Sequence, residues 1–209
     1  MDYLSLAQRS YQLIKSKLLS DEIRPGERLW EDQLAEEISM SRTPVREAVN
    51  QLIAERLVRR VPRKGIFAVD YTASEMLDIV ATRTIIETQA ARLCCQNISE
   101  EQMTRMDAVL QQYVDMLRST GQKKANVYDA ELHRMLGECS GSALIRRYVE
   151  DLENMVVFVR KKDEYVFADV ELSIVQHSRI VEGILRRDEE AAAQAVMENT
   201  QQLRRRVHL

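Results

Sequence analysis

The 209 residues of this chain include only six glycines and three prolines, so its helices have few points at which they can be interrupted. Few helix breakers favour long helices. Beyond Asp70 the strand signals vanish, and apolar residues recur with the spacing of amphipathic helices. Six such segments with short connections predict an antiparallel six-helix bundle. The predicted helices span roughly 74–96, 100–119, 123–139, 143–161, 164–187 and 189–206, separated by Asn97–Ser99, Thr120-Gly121, Ser140-Gly141 and an acidic cluster near Asp163.

The first seventy residues differ, because two short strands follow three helices. Pro25-Gly26 breaks the chain after the first helix, and Ser39-Met40 breaks it before the third, which Ser41 or Thr43 can cap. The order predicts a winged helix-turn-helix, with three helices plus a two-stranded β wing around the turn PRKG. Its predicted segments are helices at about 4–18, 31–38 and 41–57 and strands at Leu57–Val61 and Ile66–Val69.

The third helix has one apolar face and one polar face. Thr43, Arg46 and Asn50 share the polar face, with Arg42 at its N-terminal tip. In a helix-turn-helix protein this end enters the major groove of DNA. Arginine can there make bidentate hydrogen bonds to guanine, while threonine and the helix N-terminus take phosphate. The pattern therefore predicts a DNA-binding helix.

The predicted wing adds positive charge beside that helix. Arg63 and Lys64 at its tip would reach phosphate or the minor groove, and Gly65 permits a close approach. From Met40 to Phe67 seven cations stand against two anions, so this segment carries +5 and the rest of the chain −8. A local basic patch on an acidic chain favours a defined surface for a polyanion. The alternative is a helical hairpin with a solvated β-ribbon.

Several polar residues lie within the apolar stripes of the predicted bundle. Burying such groups is expensive unless each finds a partner. Because four helices each direct polar groups inward, we expect one shared interior site. These residues are Arg83 and Glu87, then Asp129 and His133, then His177, and finally Asn199.

Asp129 and His133 are four residues apart, so both can reach one ion from a single helical face. With His177 they would supply one oxygen and two nitrogen ligands, a set that suits zinc, nickel or manganese. The alternative is that each histidine is a hydrogen-bonded core residue, which is the commoner role of a single buried histidine.

Membrane and secreted proteins are disfavoured by the same sequence. No apolar run approaches the ~20 residues that span a bilayer, and the start MDYLSLAQRS lacks the apolar core of a signal peptide. Three cysteines, of which Cys94 and Cys95 are adjacent, make a poor disulfide framework. We therefore expect a cytoplasmic protein. Cys94 and Cys95 are interpreted as helix packing, with thiol sensing as the alternative.

The N-terminal motifs resemble a known family. The segments PGERL, LAEEI, SRTPVREAV, QLIAERLV and RKGIFAV, between Pro25 and Val69, closely resemble the DNA-binding domain of the GntR family of bacterial regulators. The resemblance implies that Arg42, Thr43 and Arg46 contact DNA, together with the wing around Lys64-Gly65. It also implies a homodimer that binds a palindromic operator.

The bundle is similar to the FCD-type ligand-binding domain of the FadR-like branch of that family, through TRTIIETQAARL, DAELHRML and HSRIVEGILRRDEEAAAQAVMEN. The resemblance implies a metal site of one Asp and three His, and Asp129, His133 and His177 match its first three positions. The fourth falls on Asn199, a weaker ligand, so metal affinity is reduced or water or the effector completes the shell. His208 is too far along the helix to substitute.

The resemblance also implies that Arg83 faces the effector pocket. A buried arginine beside a metal would clamp a carboxylate, which predicts a small organic acid as effector. We therefore predict a regulator, a repressor by preference, with a DNA-binding domain at 1–70 and an effector-binding and dimerisation domain at 71–209. A metal-dependent hydrolase tethered to DNA and an architectural DNA-binding protein with an empty bundle are the alternatives.

Overall fold

The computed structural model describes residues 4–20, 22–162 and 169–207, and within the helices it leaves the side chains at 122, 123, 157–162 and 206 undescribed. The chain divides into two compact units, Met1–Tyr71 and Thr72–Leu209. Asp163, the predicted helix start at 164–168, and His208 lie outside the described residues.

Within residues 4–20 and 22–71, the first unit has three helices and a small sheet. Helices α1 and α2 both pack on α3. Ile14 and Leu18 of α1 and Val45, Val49 and Leu52 of α3 are buried in its core. Its elements are α1 (Leu6–Leu19), β1 (Arg28–Leu29), α2 (Glu31–Glu37), α3 (Arg42–Ala54), β2 (Val58–Val61) and β3 (Gly65–Ala68).

The sheet contains the predicted two-stranded wing, β2 and β3, and adds a third strand that the sequence did not indicate. It is antiparallel and three-stranded, in the order β1-β3-β2. Strand β1 pairs Arg28 with Phe67 and Leu29 with Ile66. A strand of two residues is too short to show alternation in the sequence, so only its partner strand reveals it. Ser41 stands at the N-cap position of α3 without a side-chain capping bond.

The described residues of the second unit, 72–162 and 169–207, form six helices, as the sequence predicts. Helix α4 packs against α6, α7 and α9, and α8 packs against α5, α9 and α4. This arrangement brings the inner faces of α4, α6, α7 and α8 toward the middle of the unit. The helices are α4 (Ala73–Asn97), α5 (Glu100–Thr120), α6 (Gln122–Cys139), α7 (Ala143–Lys162), α8 (Val170–Leu185) and α9 (Glu189–Arg206).

Side-chain caps fix where these helices begin. Thr72 and Ser99 form capping boxes at the starts of α4 and α5, and Asp169 and Asp188 cap α8 and α9. The cap at Ser99 agrees with the sequence prediction. None of the helices in the described part of the chain is long and apolar enough to cross a membrane.

Candidate DNA-binding face and interior metal centre

One side of α3 is exposed and polar. Arg42, Thr43, Arg46 and Asn50 all lie on it, and the side chains of Arg42 and Arg46 are 71% and 64% exposed. We call these four residues the DNA-binding face, after the role that the sequence predicts for them. The opposite side of the helix is buried in the core of the unit. The burial of the α3 side chains therefore confirms the polar and apolar faces that the sequence predicts.

Two acidic residues of α2 contact this face. Asp32 Oδ1 lies 2.6 Å from Arg42 Nε, and Glu31 Oε2 lies 3.5 Å from Arg46 Nε. Both contacts are made through Nε of the arginine. Exposed ion pairs of this kind contribute little to stability. Nothing in the sequence pattern had singled out either acid.

The wing lies beside the DNA-binding face. Arg63 and Lys64 are exposed at the turn, and Gly65 has φ +118°, a backbone conformation that other residues rarely adopt. A Cβ at Gly65 would come within 3.0 Å of the guanidinium of Arg28, so the glycine also makes room for that side chain. From β2, Arg60 Nη2 donates to Asn50 Oδ1 over 3.2 Å. Arg60 belongs to the predicted basic patch, but its partner could not be inferred from the sequence.

In the second unit three predicted metal ligands come together. Asp129 and His133 project from α6 and His177 from α8, and all three side chains are at least nine-tenths buried. One ligand atom from each lies within 4.8 Å of the other two. We call these three residues the bundle centre. The spacing of four between Asp129 and His133 places both on one side of α6, as expected.

Hydrogen bonds to the outer nitrogens determine which nitrogen of each histidine carries the proton. His177 Nδ1 lies 2.8 Å from the carbonyl oxygen of Ser173, which can only accept. His133 Nδ1 lies 2.7 Å from a carboxylate oxygen of Glu87. Both Nδ1 atoms therefore donate, which leaves Nε2 as the atom through which each ring would bind a metal. This is the arrangement that metal-ligating histidines commonly show.

The inner nitrogens fit a cation. Neither Nε2 atom has a hydrogen-bond partner among the described residues, although both are buried. His177 Nε2 also lies 2.9 Å from Asp129 Oδ1. The contact is favourable when Nε2 is protonated, and when Nε2 carries its lone pair it is favourable only with a cation between the two atoms. The residues present therefore fit a divalent metal, which would be held by Asp129, His133 and His177.

A small cavity adjoins the bundle centre. Its volume is about 10 Å³, and apolar residues surround the two histidines that line it. A space of this size accepts roughly one water molecule. The apolar lining residues are Met106, Leu132, Leu136, Ile180 and Val181.

Arg83 lies in a buried network of charges. Its Nε is 2.8 Å from Glu87 Oε1, and its Nη2 is 2.5 Å from Glu153 Oε1. All three side chains are at most 2% exposed. Contact of Arg83 with an effector stays a prediction. Glu153 was missed at the level of sequence, although it follows Val149 and precedes Val156 at helical spacing in the same apolar stripe of α7.

Electrostatics keep Glu87 ionised within this network. Burial alone would raise the pKa of the Glu87 carboxyl. The charges of Arg83 and His133 and the hydrogen bonds from both outweigh burial, so this pKa lies below its ordinary value. An ionised Glu87 accepts from Arg83 with one oxygen and from His133 with the other.

The cysteines of α4 are buried free thiols. Burial raises the pKa of Cys95 to about 11. A hydrogen bond with Cys139 raises the pKa of Cys94 as well. Both shifts disfavour the reactive thiolate, which supports packing over thiol sensing for these residues.

Comparison with known proteins connects the two units to one family. Residues 6–68 match the gntR family of bacterial regulatory proteins, and residues 78–202 match the FCD domain. The chain belongs to the GntR family. Among relatives of this GntR-family protein, the Nta operon transcriptional regulator of Aminobacter aminovorans is 30% identical over 88% of this chain and 85% of that protein. The HTH-type transcriptional repressor RspR of Escherichia coli (strain K12) is 24% identical over 94% of this chain and 86% of that protein.

A solved structure has the same fold. Escherichia coli McbR/YncC superimposes with a TM-score of 0.84 and 19% identity, covering 96% of this chain and 95% of that one. At this identity the likeness concerns the fold. The GntR-family protein described here is thus a transcriptional regulator with an FCD domain. FCD domains often bind metal, and the candidate ligands of this one are the bundle centre.

Asn199 is where this GntR-family protein departs from the usual ligand set. It lies half-buried on α9, between the buried residues Val196 and Thr200. None of the hydrogen bonds and ion pairs described for the bundle centre involves it. The structure therefore groups three of the predicted ligands, while a role for Asn199 stays a prediction.

Proposed function

We propose that this protein is a cytoplasmic repressor that binds a palindromic operator as a homodimer and responds to a small organic acid at a metal in its FCD domain. One observation carries the proposal: a single chain combines an exposed cationic helix face with a buried set of metal-ligand atoms. The name of the relative RspR, a transcriptional repressor, supports the choice of repression. The matched relatives are regulators, which supports a role without catalysis.

In this proposal the first unit recognises the operator. Arg42 and Arg46 reach guanine edges in the major groove, while Thr43 and Asn50 contact the backbone or neighbouring bases. Arg63, Lys64 and Gly65 follow the adjacent phosphate or minor groove. The assignment is supported by exposure, since all of these residues are exposed except Gly65, which is half-buried.

The second unit senses the effector. Asp129, His133 and His177 hold zinc, nickel or manganese, and the open coordination positions are filled by water, by Asn199 or by the acid itself. Because Arg83 already contacts two carboxylates, the metal is the cation that holds the acid in this arrangement. The nearby cavity of about 10 Å³ implies that the acid enters only with movement of the surrounding side chains.

The recognition of DNA is tested with Arg46→Ala. An operator is first selected from random duplexes by the wild-type protein, and affinities are then measured by fluorescence anisotropy at fixed salt. Loss of one bidentate contact should weaken operator binding by about 5- to 150-fold. Arg179→Ala is the matched control, because Arg179 of α8 is 62% exposed and lies in the other unit. Equal operator affinities for the Arg46 variant and the wild type would contradict the assignment.

The sensing site is tested by metal titration. Chelator-treated protein receives zinc, nickel or manganese, with and without a panel of small carboxylic acids, and its melting temperature is followed. We expect a metal to raise the melting temperature in the wild type and not in His133→Ala, with acids adding a further rise. A wild-type protein that takes up none of the three metals would refute the metal site.

A further inference from the structure

Arg83 and His133 are joined through one carboxylate. Glu87 Oε1 accepts from Arg83 Nε over 2.8 Å, and Glu87 Oε2 lies 2.7 Å from His133 Nδ1. Arg83 and Glu87 are four residues apart on α4, whereas His133 belongs to α6. All three side chains are at most 2% exposed, so bulk water does not compete for these contacts.

The second carboxylate fixes the other end of Arg83. Glu153 of α7 contacts Nη2 while Glu87 contacts Nε. The carboxylate of an effector at Arg83 would be buried beside two carboxylates that already balance the guanidinium, and it would have no cation of its own. Leaving a buried charge unpaired is strongly unfavourable. The guanidinium is therefore better placed to orient Glu87 than to bind a ligand.

We infer that Arg83 and Glu87 are positioning residues that fix His133 as the Nδ1–H tautomer and direct its Nε2 toward a metal in the bundle centre. The inference rests on the proposed metal site and changes the predicted role of Arg83. Glu87 acts on His133 directly, and Arg83 acts through Glu87. An outer carboxylate that holds a ligating histidine in this way typically contributes 10- to 100-fold to metal affinity.

The metal affinities of variants test whether Arg83 and Glu87 act on His133. Kd values for Zn²⁺ and Co²⁺ are measured by competition with a chromophoric chelator, in the absence of any acid, for the wild type, Glu87→Gln, Arg83→Gln and Arg83→Lys. We expect losses of about 10- to 100-fold for Glu87→Gln and Arg83→Gln. Arg83→Lys, which retains the charge, should recover part of the loss. The absorption spectrum of bound Co²⁺ should change in the two glutamine variants, since His133 is no longer held in one orientation.

A matched control separates positioning from general destabilisation. Thr84 neighbours Arg83 on α4, and its hydroxyl bonds Thr200 of α9 over 2.9 Å without contacting the network. Thr84→Val should keep the metal Kd within about twofold and leave the Co²⁺ spectrum unchanged. If Arg83 instead clamps an effector, Arg83→Gln will bind metal like the wild type, and the inference is then wrong.

The wild-type protein provides a test that needs no variant. The chain contains only three histidines, so the tautomers of the metal-free protein can be assigned by nitrogen-detected NMR. We expect His133 in the Nδ1–H form, and the Nε2–H form would overturn the inference even if the variants fail to fold. Wild-type protein that binds no metal would refute the proposed site, whereas wild-type binding with unchanged variants would refute only the roles of Arg83 and Glu87.

Discussion

At the scale of single residues, the two units use arginine in opposite ways. Arg42 and Arg46 are exposed. Asp32, the partner of Arg42, is exposed too, and the contact of Arg46 with the partly buried Glu31 is long at 3.5 Å, so both contacts can break at little cost. Arg83 is buried between two carboxylates, and breaking either pair would leave a desolvated charge. Arg42 and Arg46 are therefore accessible to DNA, whereas Arg83 is held in the interior by its buried ion pairs.

The contact between Asp32 and Arg42 predicts an effect on DNA specificity. Asp32 places a negative charge beside the helix that is proposed to contact DNA, and it contacts Arg42 through Nε. Asp32→Asn should strengthen binding to non-specific DNA at low salt and steepen its salt dependence by about one counterion. Because Arg42 loses this contact, the ratio of operator to non-specific affinity should fall. Fluorescence anisotropy across a salt series measures both quantities.

The control for this substitution is Asp107→Asn, which removes an exposed carboxylate from α5 in the other unit. It should leave the salt dependence of DNA binding unchanged. If Asp32→Asn instead weakened non-specific and operator binding alike, the carboxylate would be a structural support of α2 and not a modulator of Arg42.

At the scale of elements, close helix packing positions the bundle centre. Helix α8 carries His177 and runs against α9. At Gly183 the two helices approach so closely that an added Cβ would lie 2.7 Å from the backbone nitrogen of Ala192 and 2.9 Å from its Cα. Only a residue without a side chain permits this approach.

We therefore predict that Gly183→Ala destabilises the protein. Helix propensity alone would favour alanine by about 1 kcal/mol. The clash with the backbone of α9 should outweigh that gain and lower the free energy of unfolding by about 1–3 kcal/mol. Gly137→Ala is the comparison, because its Cβ would meet Val149 Cβ at 3.0 Å and Arg146 Cα at 3.1 Å, a milder clash. Chemical denaturation measures both, and a gain in stability for Gly183→Ala would show that α8 and α9 separate easily.

For the whole molecule, the proposed function requires that binding in one unit be thermodynamically coupled to binding in the other. The DNA-binding face belongs to Met1–Tyr71 and the bundle centre to Thr72–Leu209. A ligand in one unit alters binding by the other only if it favours one of two states of the whole chain. Thermodynamic linkage then makes the effect equal in both directions.

This reciprocity gives a quantitative prediction. Metal, with or without acid, should change operator affinity by about 5- to 150-fold, and the operator should change metal affinity by the same factor. Calorimetry and anisotropy on the same preparation measure the two factors. In Asp129→Ala the operator affinity should no longer depend on metal. A wild-type protein whose operator affinity is the same with and without metal would show that the site is structural and transmits nothing to the DNA-binding unit.

Local sequence patterns were enough to predict the helices and several buried polar residues of this protein. The six helices of the second unit and the two faces of α3 could be predicted because helical periodicity repeats every few residues and burial follows it. The same periodicity identified Asp129, His133 and His177 as inward-facing residues, and all three are buried. The segments between Pro25 and Val69, with SRTPVREAV at their centre, indicated the family to which the chain belongs.

Which partners these residues have depends on tertiary packing. Strand β1 is two residues long and exists through its pairing with β3. The partners of Arg83 come from its own helix and from α7, seventy residues further along the chain, and the proton on His133 is placed by Glu87 of a different helix. Periodicity reports which side of a helix is buried, but it carries no information on what lies opposite. The roles of Arg83, Glu87 and Glu153 therefore followed from packing between helices that are distant in sequence.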